Sequence, residues 1–178
     1  MILLGALSLT LEACAATEAG TPSAVREEST ANTSEPGTST TQPPVPTSSA
    51  LTGTDPCSLL TSSDATSLGL PPQGRRADII GLLICTWPKP GSSVSVNLDP
   101  GRGIKDVGVG SATKTEDVVI GKHQGRRVEE SSGPGYCSFD LAITDETSAR
   151  ISAIILGKTA EACKLAEQVT KIVEPKLP

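Results

Sequence analysis

The sequence predicts an α+β domain: an antiparallel sheet of five or six strands, with N-terminal and C-terminal helices packed on it and two disulfides as staples. Three observations carry this expectation. Ser93 to Leu98 alternates strictly, with Val94, Val96 and Leu98 on one side and Ser93, Ser95 and Asn97 on the other, the pattern of a half-buried antiparallel strand. Ala162, Cys163, Ala166, Val169, Ile172 and Val173 recur at three- and four-residue spacing with Lys and Glu opposite, the pattern of an amphipathic helix. Finally, Cys57, Cys85, Cys137 and Cys163 are spread through a segment, Asp55 to Pro178, that has only Trp87, Tyr136 and Phe139 as aromatics. Such a modest core gains materially from cross-links.

The chain begins differently. Met1 to Leu11 is apolar with small residues, about the length of a secretory h-region and short of the roughly 20 residues needed to span a bilayer, so Met1 to Ala13 is read as a signal peptide. Leu11-Glu12-Ala13-Cys14 resembles the bacterial lipobox, which makes Cys14 the expected site of lipidation and the membrane the expected partner. Glu12 departs from the small residue usual at that position, and no Lys or Arg precedes the apolar stretch, so a few residues upstream of Met1 are expected. The five cysteines support the assignment, because lipid on Cys14 leaves four to pair.

From Cys14 to Thr54 the composition is dominated by Ser, Thr, Pro, Ala and Gly, with Val25, Val45 and Leu51 as the only large aliphatics after the anchor. A segment of this kind is expected to be a disordered tether. It also carries the charge imbalance. Five of the 20 acids but only Arg26 of the 15 bases lie in residues 1–54, leaving 15 acids and 14 bases in residues 55–178. The formal charge of -5 therefore says little about partners of the folded part, and no nucleic-acid partner is expected.

The ordered part is expected to open at Asp55-Pro56, an N-cap followed by proline at the first helical position. Thr61 caps a helix from Ser62 to Leu68, ended by Gly69 and Pro71-Pro72, with Leu60, Ala65 and Leu68 inward. Strands are expected at Ile79 to Trp87, Ser93 to Leu98, Asp117 to Ile120, Gly125 to Glu129, Tyr136 to Thr144 and Ala149 to Leu156, with Pro88, Pro90 and Gly91 forming a hairpin loop. Thr159 caps the closing helix. Four cysteines allow three pairings; Cys57 with Cys85 and Cys137 with Cys163 are favoured, because each would staple a helical segment to the strand nearest it in sequence. Each such loop is worth about 3 kcal/mol in the chain-entropy model.

Candidate chemistry is sparse. Gly108 to Thr115 misses a phosphate-binding loop by one position, with Thr113 where glycine is needed for backbone amides to curl round the anion, so it is read as a surface loop. His123, the only histidine, falls in Gly121 to Gly125 and is read as a solvated turn residue. Glu129-Glu130 and Asp145-Glu146 are read as solvated carboxylates at strand ends, and Arg75-Arg76 with Arg126-Arg127 would make a basic patch only if the fold joined them. The cysteines lack the close C-x-x-C pairs of a zinc site, and neither metal nor cofactor is expected. Trp87, beside Cys85, is read as a core residue or the lining of a ligand groove.

The order of features resembles the actinobacterial lipoproteins that carry domain of unknown function 3558. Asp55-Pro56-Cys57-Ser58-Leu59-Leu60-Thr61 is similar to the opening of that family, and Leu68-Gly69-Leu70 to the end of its first helix. Cys85-Thr86-Trp87 is similar to its Cys-x-Trp element, Tyr136-Cys137-Ser138-Phe139 to its third cysteine strand, and Cys163 to the cysteine of its terminal helix. The resemblance implies location and architecture and carries over no catalytic residue. The expected protein is a lipid-anchored, non-enzymatic binding or interaction domain on the extracytoplasmic face of the cell membrane, facing an envelope protein or cell-wall polymer. A ligand-sensing module for a membrane receptor is the alternative; a cell-wall hydrolase would need a nucleophile, base and metal set that these residues do not supply.

Overall fold

The chain forms one sheet of seven strands in the computed structural model, which describes residues 50–112 and 114–178. They are β1 (Arg75–Ile79), β2 (Leu82–Lys89), β3 (Ser92–Asp99), β4 (Lys114–Ile120), β5 (His123–Glu129), β6 (Tyr136–Ala142) and β7 (Ser148–Ile155). Two helices flank them, α1 (Ser62–Ser67) before the sheet and α2 (Thr159–Val173) after it. All pairings are antiparallel, in the order β1-β2-β3-β7-β6-β5-β4. Two meanders, β1 to β3 and β4 to β7, are thus joined side by side where β3 pairs with β7.

Register places the core. Leu83, Cys85 and Trp87 lie opposite Leu98, Val96 and Val94, which in turn oppose Ala149, Ile151 and Ala153. The same face continues through Leu141, Phe139 and Cys137. This inner face is covered at one end by the turn Pro56–Ser58, which lies against β1, β2 and β3, and at the other by α2, which lies on β6 and β7. Each cover is bridged to the strand beneath it: Cys57 to Cys85, Cα to Cα 5.1 Å, and Cys137 to Cys163, 4.9 Å. These are the two pairs that the sequence favoured.

Trp87 is fully buried on this face. A Cβ on Gly74 would sit 2.3 Å from the Cys85 sulfur and 2.8 Å from the Trp87 ring, so only glycine lets the chain cross this disulfide and indole so closely. Of the two readings of Trp87, core packing is the one the geometry supports.

Several expectations need correction. The sheet has seven strands, not five or six. Strand β1 is missing from the sequence reading because all five of its residues are exposed, as befits an edge strand, and so show no alternation. The run expected from Ile79 to Trp87 is broken at Ile80-Gly81, a two-residue turn with φ of 52° and 79°. Positive φ is unfavourable for a β-branched residue, and the Asn-Gly or Asp-Gly signal of such hairpins is absent.

The N-terminal helix is shorter than expected, six residues with Ala65 as its one buried member; the preceding turn does the packing on the sheet. Its capping box is present, with Thr61 accepting from the Asp64 amide and Asp64 accepting from the Thr61 amide. At α2 the cap is Lys158, not Thr159. The Thr159 hydroxyl instead donates to Glu130 Oε1 at 2.6 Å and accepts from the Gly135 amide, tying the helix start to the β5–β6 loop. Leu51, which composition assigns to the tether, is fully buried, so packing starts before Asp55.

Ile80 also yields an expected outcome. It is wholly exposed and packs on nothing, so Ile80→Asn replaces a strained backbone with one that tolerates positive φ. Urea unfolding should show a gain of about 0.5–1 kcal/mol. A loss of stability would mean that the side chain has a contact in the folded state.

Candidate functional site

The connection from β3 to β4 must travel from the middle of the sheet to its far edge, past β7, β6 and β5. It does so over the outer face, and a charged cluster holds it there. Asp140 lies directly opposite Arg150 on β7 and Arg126 on β5. Arg150 donates from Nε to Asp140 Oδ1 at 2.7 Å and from Nη2 to Oδ2 at 2.8 Å; Arg126 Nε donates to Oδ2 at 3.1 Å. Asp140 is 1% exposed, and Ser138 Oγ completes its shell. Both guanidiniums then reach the crossing segment, Arg126 to the Val107 carbonyl and Arg150 to the Gly108 carbonyl. Burial alone would lower the Arg150 pKa, but hydrogen bonding and the charge of Asp140 raise it above the ordinary value. Gly108 and Gly110, the near-miss of a phosphate loop, therefore belong to a strap across the sheet.

Beyond the strap lies an open cleft of about 1100 Å³ at the end of β4 and β5. Four segments meet there: Ile104-Lys105 of the strap, the β4–β5 turn at Lys122, the start of the β6–β7 turn at Ile143 to Asp145, and Pro178. Lys105, Lys122, Asp117 and Asp145 are exposed on its rim, and none of the four is in an ion pair among the described residues. Gln124 and Thr144 add neutral polar groups, while Val118, Val119, Ile104 and Ile143 supply apolar wall. A smaller groove of about 440 Å³ lies between β4 and α2, with Val118, Ile120 and Phe139 flanked by Glu116, Arg127, Glu167 and Lys171.

His123 lines the cleft, and it is not the solvated residue its turn context suggests. It is 5% exposed, with Nδ1 2.7 Å from Glu174 Oε1 and Nε2 2.9 Å from the Pro178 carbonyl oxygen. Both neighbours are acceptors, so both bonds form together only when each ring nitrogen carries a proton. The Lys122 amide also donates to Glu174 Oε1, at 2.9 Å. A Cβ on Gly121 would fall 2.1 Å from the Glu174 carboxylate and displace it, and φ there is +56°, a conformation that favours glycine. Sequence could not show this, since the carboxylate arrives from a position 51 residues later.

The arrangement holds the His123 ring at both nitrogens. It also makes Glu174 a pH-dependent contact. Burial raises its pKa, but the Lys122 amide, the His123 hydrogen bond and the charges of both outweigh burial, and the net shift is downward. A carboxyl with a lowered folded-state pKa stabilises the fold above its unfolded value, about 4.3, and loses that contribution as pH falls through the folded value. The stability difference between the wild type and Glu174→Gln should shrink steadily as the pH falls below about 4. A difference that stays level down to pH 3 would contradict the assignment.

The remaining sequence candidates separate. Arg75-Arg76 on β1 and Arg126-Arg127 on β5 are five strand spacings apart, roughly 24 Å, so they make no joint basic patch. Glu129 and Glu130 are engaged, the first with Arg127 Nη2 at 2.8 Å and the second with Thr159. No group of three or more His, Cys, Asp or Glu among the described residues could hold a metal ion, and no helix there is long and apolar enough to cross a membrane. Cys14 and the tether to residue 49 lie outside the described residues.

No curated protein and no solved structure matches the chain. A family model described as "Protein of unknown function (DUF3558)" matches residues 9–176, which takes in every strand, both helices and all five cysteines. The chain belongs to this family.

Proposed function

We propose that the protein is an extracytoplasmic lipoprotein of an actinobacterial envelope, held to the membrane by lipid on Cys14, with a non-enzymatic binding domain at the end of a Ser/Thr/Pro-rich tether. What supports the anchor is the cysteine arrangement: four pair within the domain, which leaves Cys14, next to a lipobox-like sequence, as the fifth. Two bridges also suit an oxidising compartment.

The observation that carries the binding role is the cleft itself. Two lysines and two carboxylates, none in an ion pair among the described residues, converge with apolar wall on one concavity. Mixed charge over an apolar surface is suited to holding a polar polymer or a partner protein. His123, tied at both nitrogens, serves to shape the cleft.

Two measurements test the proposal. Cys14→Ala should move the protein from the membrane pellet to the soluble fraction, and retention in the pellet would remove the anchor. Purified cell-wall polymer, added to the membrane-extracted protein, should raise its melting temperature, because a ligand of the native state alone must stabilise it: about 2.7 kcal/mol at a hundredfold excess over Kd. Lys105→Glu with Lys122→Glu should cancel the rise. No shift with polymer or with envelope protein extract would argue against a binding role.

A further inference from the structure

The edge strand β1 carries charges in an order that complements itself, and from this we infer that two copies of the chain pair along β1 about a two-fold axis through Ala77. The backbone geometry sets which residues can take part. Ile79 and Leu82 flank a two-residue turn, so they form a hydrogen-bonded pair, and Ala77 and Arg75 point their main-chain groups the same way, toward β2. The amides and carbonyls of Arg76 and Asp78 therefore face away from the sheet.

An antiparallel partner must set these outward residues opposite one another, which leaves three choices of axis. An axis at Arg76 opposes Arg76 to itself, and an axis at Asp78 opposes Asp78 to itself. Only the axis at Ala77 sets Arg76 against Asp78 of the second copy, twice by symmetry, with main-chain hydrogen bonds at both. That register also lays the aliphatic stem of Arg75 along Ile79 of the second copy, a side chain otherwise 56% exposed.

The other edge, β4, offers one axis of this kind, at Thr115, which would set Lys114 against Glu116 of a second copy, but Lys114 is already paired within its own chain, with Glu116 at 3.2 Å and Glu129 at 3.7 Å. Axes at Glu116 or Asp117 set like charges together, and an axis at Val118 brings no charges into opposition. The ties already present at β1 are weak enough to yield or compatible with pairing. Arg76 reaches Asp55 at 3.7 Å with both side chains largely exposed, and Asp78 accepts from the Gly81 amide through one oxygen, leaving the other free to face arginine. The contact is small for a stable dimer in dilute solution, so it operates between copies confined to one membrane, where the effective concentration is high.

Cysteine cross-linking on the intact membrane-bound protein tests it. Residues on the axis of a non-hydrogen-bonded pair have Cα atoms about 4.5 Å apart, within disulfide range. Ala77→Cys should therefore give a covalent dimer on a non-reducing gel, whereas Arg75→Cys, off the axis, should not. In the Ala77→Cys background, Arg76→Asp alone and Asp78→Arg alone should each cut the dimer by about tenfold, since each opposes like charges. Co-expressing those two variants should restore it as a mixed dimer, which also shows that both are folded. Equal cross-linking at residues 75 and 77, or failure of the mixed pair to recover, would overturn the inference.

Discussion

Asp140→Ala should destabilise the domain by about 3–5 kcal/mol, because it leaves Arg126 and Arg150 partly buried with no carboxylate between them. The size follows from the asymmetry of buried pairs: forming one gains little over apolar packing, but removing one partner leaves an uncompensated charge. The effect should be local as well as global. With the carboxylate gone, neither guanidinium is held over the strap, and the carbonyls of Val107 and Gly108 lose their donors. Trypsin should then cut at Arg102 or Lys105 well before the rest of the domain unfolds. Asp140→Asn, which keeps the shape but not the charge, should fall between the two. If Asp140→Ala unfolded within about 1 kcal/mol of the wild type and the strap stayed resistant, the charged cluster would not be what holds the crossover.

Removing either disulfide as a pair of Cys→Ala substitutions should cost about 3 kcal/mol, and removing both about twice that, more than a small domain with few aromatics is expected to spare. The consequences should differ by bridge. Loss of Cys57–Cys85 frees the Pro56–Ser58 turn from β2 and opens the packing over Trp87, so its fluorescence should shift to the red. Loss of Cys137–Cys163 frees α2 from β6, and amide protection should fall along Thr159–Val173 while the β1–β3 meander holds. Identical exchange patterns for the two variants would contradict the picture of two separate covers, each clipped to its own strands.

The parts of this fold that a reader of the sequence can find are those whose cause is local. Ser93 to Leu98 alternates because β3 has one face on the core and one facing out, and the spacing from Ala162 to Val173 follows from α2 lying on β6 and β7. The disulfide pairs were readable because each closes a short loop between neighbours. What stayed hidden depends on distant chain. Arg75–Ile79 buries nothing, and Ile80 adopts a backbone that its side chain disfavours. His123 looked like a turn residue because the groups that bury it, Glu174 and Pro178, come from the far end of the chain. Lys105, Lys122, Asp117 and Asp145 meet only once the strap and two turns are in place, so no spacing announces the cleft.

The charged cluster does leave one trace in the sequence. Asp140 is a lone acid inside the apolar run of β6, and a charge at such a position needs a partner on an adjacent strand. Arg126 and Arg150, the arginines on the strands either side, are that partner.

The most direct test of the account is the intact mass of the mature protein, taken before and after reduction. Lipid on Cys14, an N-terminus starting at that residue, and four protons gained on reduction are the expected result, since the four remaining cysteines form two bridges. An unmodified Cys14, or a free thiol at Cys57, Cys85, Cys137 or Cys163 before reduction, would contradict it.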